Sequence, residues 1–100
     1  MRFAVIYRLK SPPPPERAQE LVQRLGQWSE RYADRIETGG YFPAGGGLGV
    51  TDMDDSAELH RMLLEHPYTP FCDVEVLPLV DRDTAIGTLQ DVLAARTQTD

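Results

Sequence analysis

The segment LHRMLLEHPYTPFCDVEVLPL, from Leu59 to Leu79, decides the fold because it passes from one kind of local structure to another within a short distance. Its apolar residues first recur at helical spacing, up to a loop bounded by Pro67 and Pro70. The residues from Phe71 to Val80, rich in valine, then predict a β-strand. The segment therefore predicts a helix, a loop and a strand in succession.

The N-terminal half predicts a strand followed by a helix. Arg2 to Lys10 is rich in Phe, Val, Ile and Tyr, which is typical of a strand, and the proline run SPPPP after it cannot be helical inside. Apolar residues at helical spacing then predict a helix over Glu16 to Thr38, which Gly39 and Gly40 would end.

Between these halves, YFPAGGGLGVTDM (Tyr41 to Met53) predicts two short strands around a glycine turn, with Pro43 placing the first strand at a sheet edge. The GGGLG run lacks the Gly-Lys-Ser/Thr ending of a phosphate loop and opens no helix, so we expect a flexible hairpin that binds no phosphate. Asp55 or Ser56 is expected to cap the second helix, and apolar residues after Asp83 predict a short terminal helix.

The predicted order of elements is β-α-β-β-α-β with an extra C-terminal helix, in a single domain over residues 1–100. This is the order of the ferredoxin-like α+β fold, in which helices cover one face of an antiparallel sheet. An open apolar sheet face is a liability in water, so we expect a second copy of the chain to cover it. Two such sheets packed face to face would form a dimeric α+β barrel, which predicts a homodimer or a higher homo-oligomer.

Composition and charge narrow the possible function classes. The net charge is −6 and the acidic residues are spread along the chain, which argues against nucleic acid as a partner. The apolar run near the N-terminus, Phe3 to Ile6, is too short for a signal peptide or a membrane span, so we expect no membrane partner and a cytoplasmic location. Cys72 is the only cysteine, which excludes an intramolecular disulfide and a cysteine-based metal cluster.

The segment from Val50 to Leu79 resembles muconolactone isomerase, whose family pattern runs V-x-D, L-H, a proline loop and D-[IV]-E-V. The matching residues are Val50, Asp52, Leu59, His60, Leu63, Pro67, Pro70, Asp73, Glu75 and Val76. The resemblance implies a ferredoxin-like fold in dimeric α+β barrels and a proton shift along an unsaturated lactone without a cofactor. The chain departs from the family at PAGGGLG, where the family carries His, Trp and Arg, and at Ala4 and Ile6, where it carries His and Lys.

Asp73 and Glu75 are the first candidate catalytic residues. They lie two apart on the last strand and share one face, while Val74 and Val76 share the other, which we expect to pack on the helices. Two carboxylates facing the barrel interior beside an apolar pocket would suit proton transfer near neutral pH. The alternatives are solvated acids at the barrel rim, or an ion pair with Arg8.

Other polar and aromatic residues are further candidates. His66 lies at the end of the second helix, where the helix dipole would favour its charged form or where it would donate a proton at the pocket mouth. Arg8 would anchor a carboxylate or enolate oxygen, and His60 matches the family residue but lies beside the buried stripe. The aromatic residues that would line a flat substrate pocket, or pack in the core instead, are Trp28, Tyr32, Tyr41, Phe42, Tyr68 and Phe71.

These residues support three hypotheses about function. The first is a cofactor-independent isomerase or cyclase that moves a proton on a small unsaturated lactone, quinone or polyketide-like substrate. The second is a cofactor-free monooxygenase of the same barrel superfamily, and the third is a non-catalytic dimeric protein that binds a small molecule. No spacing of His, Asp and Glu suggests a metal site, so we expect neither a metal nor a cofactor.

Overall fold

A computed structural model of the chain describes residues 1–99 and confirms the ferredoxin-like α+β fold. Four strands form one antiparallel sheet in the order β2-β3-β1-β4, which places β1 and β3 in the middle. In chain order the elements are β1 Arg2–Leu9, α1 Ala18–Arg31, β2 Ile36–Tyr41, β3 Gly46–Asp52, α2 Ser56–Glu65, β4 Cys72–Leu79 and α3 Arg82–Thr99.

The core lies between the sheet and the helices α1 and α2. Phe3, Val5 and Tyr7 alternate along β1 and point to this side, where they pack with Leu59 and Met62 of α2. Apolar residues at alternate strand positions and at helical spacing meet here because each element buries only one of its faces.

The other face of the sheet is not covered by any described helix. Ala4 and Ile6 of β1 lie there, in register with Val50 and Leu48 of β3. On the other side of β1, Ala4 is opposite Leu77 of β4, so the middle of this open face is apolar. Leu48 on β3 and Leu77 on β4, on either side of β1, remain 40% and 44% exposed.

The predicted end of α1 is wrong. The helix ends at Arg31, and Gly39 and Gly40 lie inside β2 instead of ending the helix. The Tyr32 carbonyl accepts hydrogen bonds from the amides of Arg35 and Ile36, which turns the chain out of the helix. Pairing with β3 then holds the chain extended. The sequence predicted a longer helix because Ile36, a strand residue that faces the core, happens to fall at the next helical position of the apolar stripe. The edge position predicted for the first strand of the hairpin is confirmed, but the strand runs from Ile36 to Tyr41, and most of the GGGLG run lies in β3 and not in a turn.

The predicted start of α2 is confirmed. The Asp55 carboxylate accepts the amide of Glu58 at 2.8 Å, and the Glu58 carboxylate in turn accepts the amide of Asp54 at 3.0 Å. This reciprocal pairing is a capping box displaced by one residue, and it fixes where the chain leaves β3 and enters the helix.

The terminal helix α3 is longer than expected and stands away from the core. Its start is capped by Asp81, whose carboxylate accepts the amide of Thr84 at 2.9 Å. Ile86, Leu89 and Leu93 share one side of the helix and are 43%, 58% and 51% exposed. None of the described helices is both long and apolar enough to cross a membrane.

Candidate functional site

A cavity of about 690 Å³ lies between the helix-facing side of the sheet and the helices α1 and α2. This volume is in the range of pockets that hold small organic molecules. Its lining residues with polar side chains are Tyr7, Ser29, Tyr41, Thr51, His66, Tyr68 and Cys72. Trp28 and Leu25 of α1 form the opposite wall, and Gly39, Gly47 and Gly49 form a floor of bare backbone.

His66, directly after α2, is held in one orientation by its neighbours. Its Nδ1 accepts the amide of Tyr68 at 3.1 Å. The ring stacks on Tyr7 with centroids 4.3 Å apart, and it meets the edge of Trp28 at 4.5 Å. Since Nδ1 is an acceptor, the proton of the neutral ring lies on Nε2, and no described residue hydrogen-bonds that atom.

Burial lowers the pKa of His66 to about 4. The imidazole is therefore neutral at pH 7, and its free Nε2–H is a hydrogen-bond donor. The expectation that the end of the helix favours the charged form is wrong, because removing the ring from water outweighs the pull of the helix dipole.

Two buried hydroxyls that line the cavity have no hydrogen-bond partner among the described residues, those of Tyr7 and Thr51. Burial raises the pKa of Tyr7, so this phenol is neutral. The nearby Thr69 hydroxyl opposes part of that shift, and because it donates to the Leu63 carbonyl at 2.6 Å, its oxygen is left to accept from the Tyr7 phenol. Buried polar groups are normally paired, but these two oxygens have almost no accessible surface, so a ligand would reach them only after a small movement of the side chain.

The residues that line the cavity, as far as the structure describes the chain, carry no charged side chain. Burial raises the pKa of the Cys72 thiol, which keeps it protonated and a poor nucleophile. The site therefore offers neutral donors and acceptors in an apolar enclosure. Such a site suits an uncharged compound with a few oxygen atoms, and an ionic ligand would lose its hydration there without a counter-charge.

The structure brings together four of the residues predicted from the sequence. His66, Tyr68, Trp28 and Tyr41 all line the cavity, with Tyr41 81% exposed at its mouth.

Three other predicted substrate-binding residues lie elsewhere. Tyr32 is buried in the core, and its hydroxyl donates to the Glu65 carboxylate. Phe71 borders a separate groove outside α1, and His60 is exposed on the surface of α2.

Asp73, Glu75 and Arg8 lie on the open face, on the opposite side of the sheet from the cavity. Val74 and Val76 pack on the core, so the predicted alternation along β4 is confirmed. Asp73 forms an ion pair with Lys10 at 3.8 Å, although Arg8 is its partner in the strand register. The carboxylates would meet a ligand only in a space between this face and a second subunit, and their catalytic role stays a prediction.

Sequence reasoning missed Tyr7, Thr51 and the glycine floor. Tyr7 continues the buried alternation of Phe3 and Val5, so the pattern alone describes it as a core residue. Its missing hydrogen bond depends on what faces it across the core, which no local pattern encodes.

Comparison with solved structures shows which known proteins share this fold. Muconolactone isomerase is similar with a TM-score of 0.71 and 23% sequence identity, over 82% of this chain and 91% of that chain. The 5-chloro-2-hydroxyhydroquinone dehydrochlorinase of Burkholderia phenoliruptrix, in complex with 2,5-dihydroxybenzoquinone, is similar with a TM-score of 0.67 and 14% identity, over 84% of this chain and 98% of that chain. The muconolactone isomerase-like fold is thereby confirmed. No curated protein matches the sequence. The model of a family described as a domain of unknown function matches residues 1–93.

Proposed function

Since the chain belongs to the DUF3303 family, a domain of unknown function, we propose its function from the cavity itself, as a cofactor-independent isomerase or cyclase of a small oxygenated ring compound. One observation carries the proposal: the neutral His66 ring lines the cavity with an unpaired Nε2–H, stacked on the buried ring of Tyr7. A neutral hydrogen-bond donor in apolar surroundings is suited to hold a substrate oxygen whose charge grows during the reaction.

The chemistry begins with loss of a proton from a carbon next to a carbonyl group. The carbonyl oxygen becomes an enolate, which the Nε2–H of His66 stabilises. A neutral imidazole serves this role well because it donates a hydrogen bond without giving up its proton in the ground state. The proton returns at another carbon of the ring to give an isomer. In a cyclisation, the enolate carbon instead attacks a second carbonyl carbon of the same molecule, whose C=O π bond opens and whose oxygen takes the proton.

None of the described residues that line the cavity is a carboxylate, and this limits the kind of substrate that can react there. A site without a strong base needs a substrate whose own C–H is acidic, so that its proton passes to solvent at the mouth near Tyr41. Carbon between two carbonyls, or conjugated to them, has this property. Quinone and polyketide-like rings therefore fit the site better than a simple unsaturated lactone. The dehydrochlorinase that shares the fold was crystallised with such an oxygenated ring, 2,5-dihydroxybenzoquinone.

Exchange with deuterated water tests this reaction class. The protein is incubated in D₂O, with EDTA present, with muconolactone, 2,5-dihydroxybenzoquinone or a tricyclic β-diketone, and products are analysed by mass spectrometry. Catalysed incorporation of deuterium without oxygen uptake supports the isomerase or cyclase. Oxygen uptake would favour the monooxygenase instead. Tight binding with neither result would leave a binding protein and end the enzyme proposal.

Amide variants of the two acids on the open face test whether catalysis takes place in the cavity or in the barrel interior. We expect Glu75→Gln and Asp73→Asn to retain turnover within about twofold, because the sheet lies between these side chains and the cavity. Were either acid the general base, its variant would lose about 10²–10⁴-fold. A loss of that size in steady-state rate, with unchanged thermal unfolding, would move the reaction to the open face.

We also propose that the open face is covered by a second copy of the chain. Leu48, Leu77 and Leu79 are exposed together there, and the apolar side of α3 has no covering group either. Light scattering at micromolar concentration should give at least twice the 11.2 kDa of one chain. Leu77→Glu on this face should lower the measured mass, whereas Leu64→Glu, an exposed leucine of α2, should leave it unchanged. A monomer in the wild-type sample would contradict the barrel.

A further inference from the structure

Three glycines form a side-chain-free patch on the wall of the cavity. Gly49 lies in β3 opposite Val5 of β1 on one side and opposite Gly39 of β2 on the other. Gly47 follows two residues away on the same face, opposite Tyr7. Neighbouring strands are about 4.8 Å apart and alternate residues about 6.8 Å apart, so the patch has roughly the dimensions of one six-membered ring.

The fold explains two of these glycines but not the third. A Cβ added at Gly39 would lie 2.6 Å from the Leu48 carbonyl oxygen, and one at Gly47 would lie 2.7 Å from the Gly40 carbonyl oxygen. At Gly49 the nearest atom, the Thr38 carbonyl oxygen, would be 4.0 Å away, and the backbone there is not left-handed. A side chain at 49 would fit the sheet and would extend into the cavity.

Glycine in an inner strand weakens the sheet, so a position that does not need it for the fold calls for another cause. We infer that Gly49 is a specificity-determining residue: its bare Cα is the surface against which the flat face of the bound ring lies. The inference rests on the proposed function, because it takes this cavity to be the substrate site.

The surroundings of the patch match this arrangement. Trp28 and Leu25 of α1 line the cavity on its helix side, so a ring on the patch would lie between backbone and apolar side chains. Thr51 is two residues beyond Gly49 on the same strand face, and Tyr7 is beside Gly47. The two buried, unpaired hydroxyls therefore flank the patch at opposite ends, where a small movement of either side chain would bring its oxygen against the edge of the ring.

Fluorescence of Trp28 provides the test, because it is the only tryptophan and it lines the cavity. Wild-type protein and the variants Gly49→Ala and Gly49→Val are titrated with 2,5-dimethoxybenzoquinone, a flat ring that is uncharged at neutral pH, and quenching gives an apparent Kd. We expect Gly49→Val to unfold at the same or a higher temperature and to bind about tenfold or more weakly, with a smaller loss for Gly49→Ala. Gly26→Ala is the matched control, since a Cβ there meets nothing within 4 Å and the residue lies outside the cavity.

Unchanged affinity of folded Gly49→Val would overturn the inference. If the variants fail to fold, wild-type protein is titrated with the flat quinone and with the puckered 1,4-cyclohexanedione by competition. A preference of about tenfold for the flat ring supports the inference, and equal affinity overturns it. Weaker binding by the Gly49 variants, without deuterium exchange on any substrate, would contradict the proposed function alone. Deuterium exchange on a substrate whose Kd is the same for wild type and the Gly49 variants would contradict this inference alone and leave the proposed function standing.

Discussion

His66→Ala should lower the turnover of the true substrate by about 10²–10³-fold, the usual effect of removing one donor to a developing oxyanion. The ring is neutral, its Nδ1 is already occupied by the Tyr68 amide, and its Nε2–H is the group left to face the ligand. The loss should fall on kcat more than on KM, because the donor acts most strongly when the oxygen is charged.

Two further variants make this result specific to the donor. His66→Gln retains an N–H group at a similar distance, so it should recover part of the lost rate, whereas a base or acid role would leave it as inactive as His66→Ala. His60→Ala, at the exposed surface of α2, should behave as wild type. A bell-shaped rate profile with an apparent pKa near 6.5, in place of a flat profile from pH 5 to pH 8, would contradict the donor role.

Acid should destabilise the protein between pH 7 and pH 5 by about 2 kcal/mol through His66 alone. The folded pKa of about 4 lies below the ordinary value of 6.5, so between these values the unfolded chain binds more protons than the folded one. Stability is therefore fully present above about pH 6.5 and declines as the pH falls toward 4. The neutral rings of Tyr7 and Trp28 that contact His66 offer no compensating negative charge.

Urea unfolding at pH 7, 6 and 5 measures this dependence. The Glu65 carboxylate, whose pKa is lowered chiefly by the hydrogen bond from Tyr32, acts in a more acidic range below about pH 4.5. His66→Gln should therefore be nearly independent of pH across this interval, while His60→Gln should show the wild-type decline. Equal slopes for wild type and His66→Gln would mean that His66 is not buried in its neutral form.

The fold was predictable from the sequence where local pattern and tertiary environment agree. The alternation of Val74 and Val76 with Asp73 and Glu75 correctly gave the two faces of β4. The end of α1 was not predictable in this way. The pairing of Gly39 with Gly49 in the neighbouring strand determines where the helix ends. Because this partner lies ten residues away in sequence, the pairing produces no helical or strand periodicity around Gly39.

The site was less predictable because its chemistry depends on what each side chain fails to touch. His66 was visible as a polar residue at a helix end, but its protonation state follows from burial against Tyr7 and Trp28, which come from other elements. Thr51 has an ordinary place in an inner strand, and only the assembled cavity shows that its hydroxyl is unpaired. Asp73 and Glu75 were predicted as catalytic residues because a charged residue can be identified in a sequence, whereas a missing hydrogen bond cannot.

Nitrogen NMR of the histidine rings tests the central claim most directly, since the chain has two histidines and His60→Gln assigns them. At pH 7 the spectrum of His66 should show a protonated Nε2 and an unprotonated Nδ1. Saturation with the uncharged 2,5-dimethoxybenzoquinone, followed by Trp28 quenching, should shift the Nε2 signal of His66 and leave His60 unchanged. A charged ring, a proton on Nδ1, or a His66 signal that stays unchanged when the quinone is bound would contradict the account.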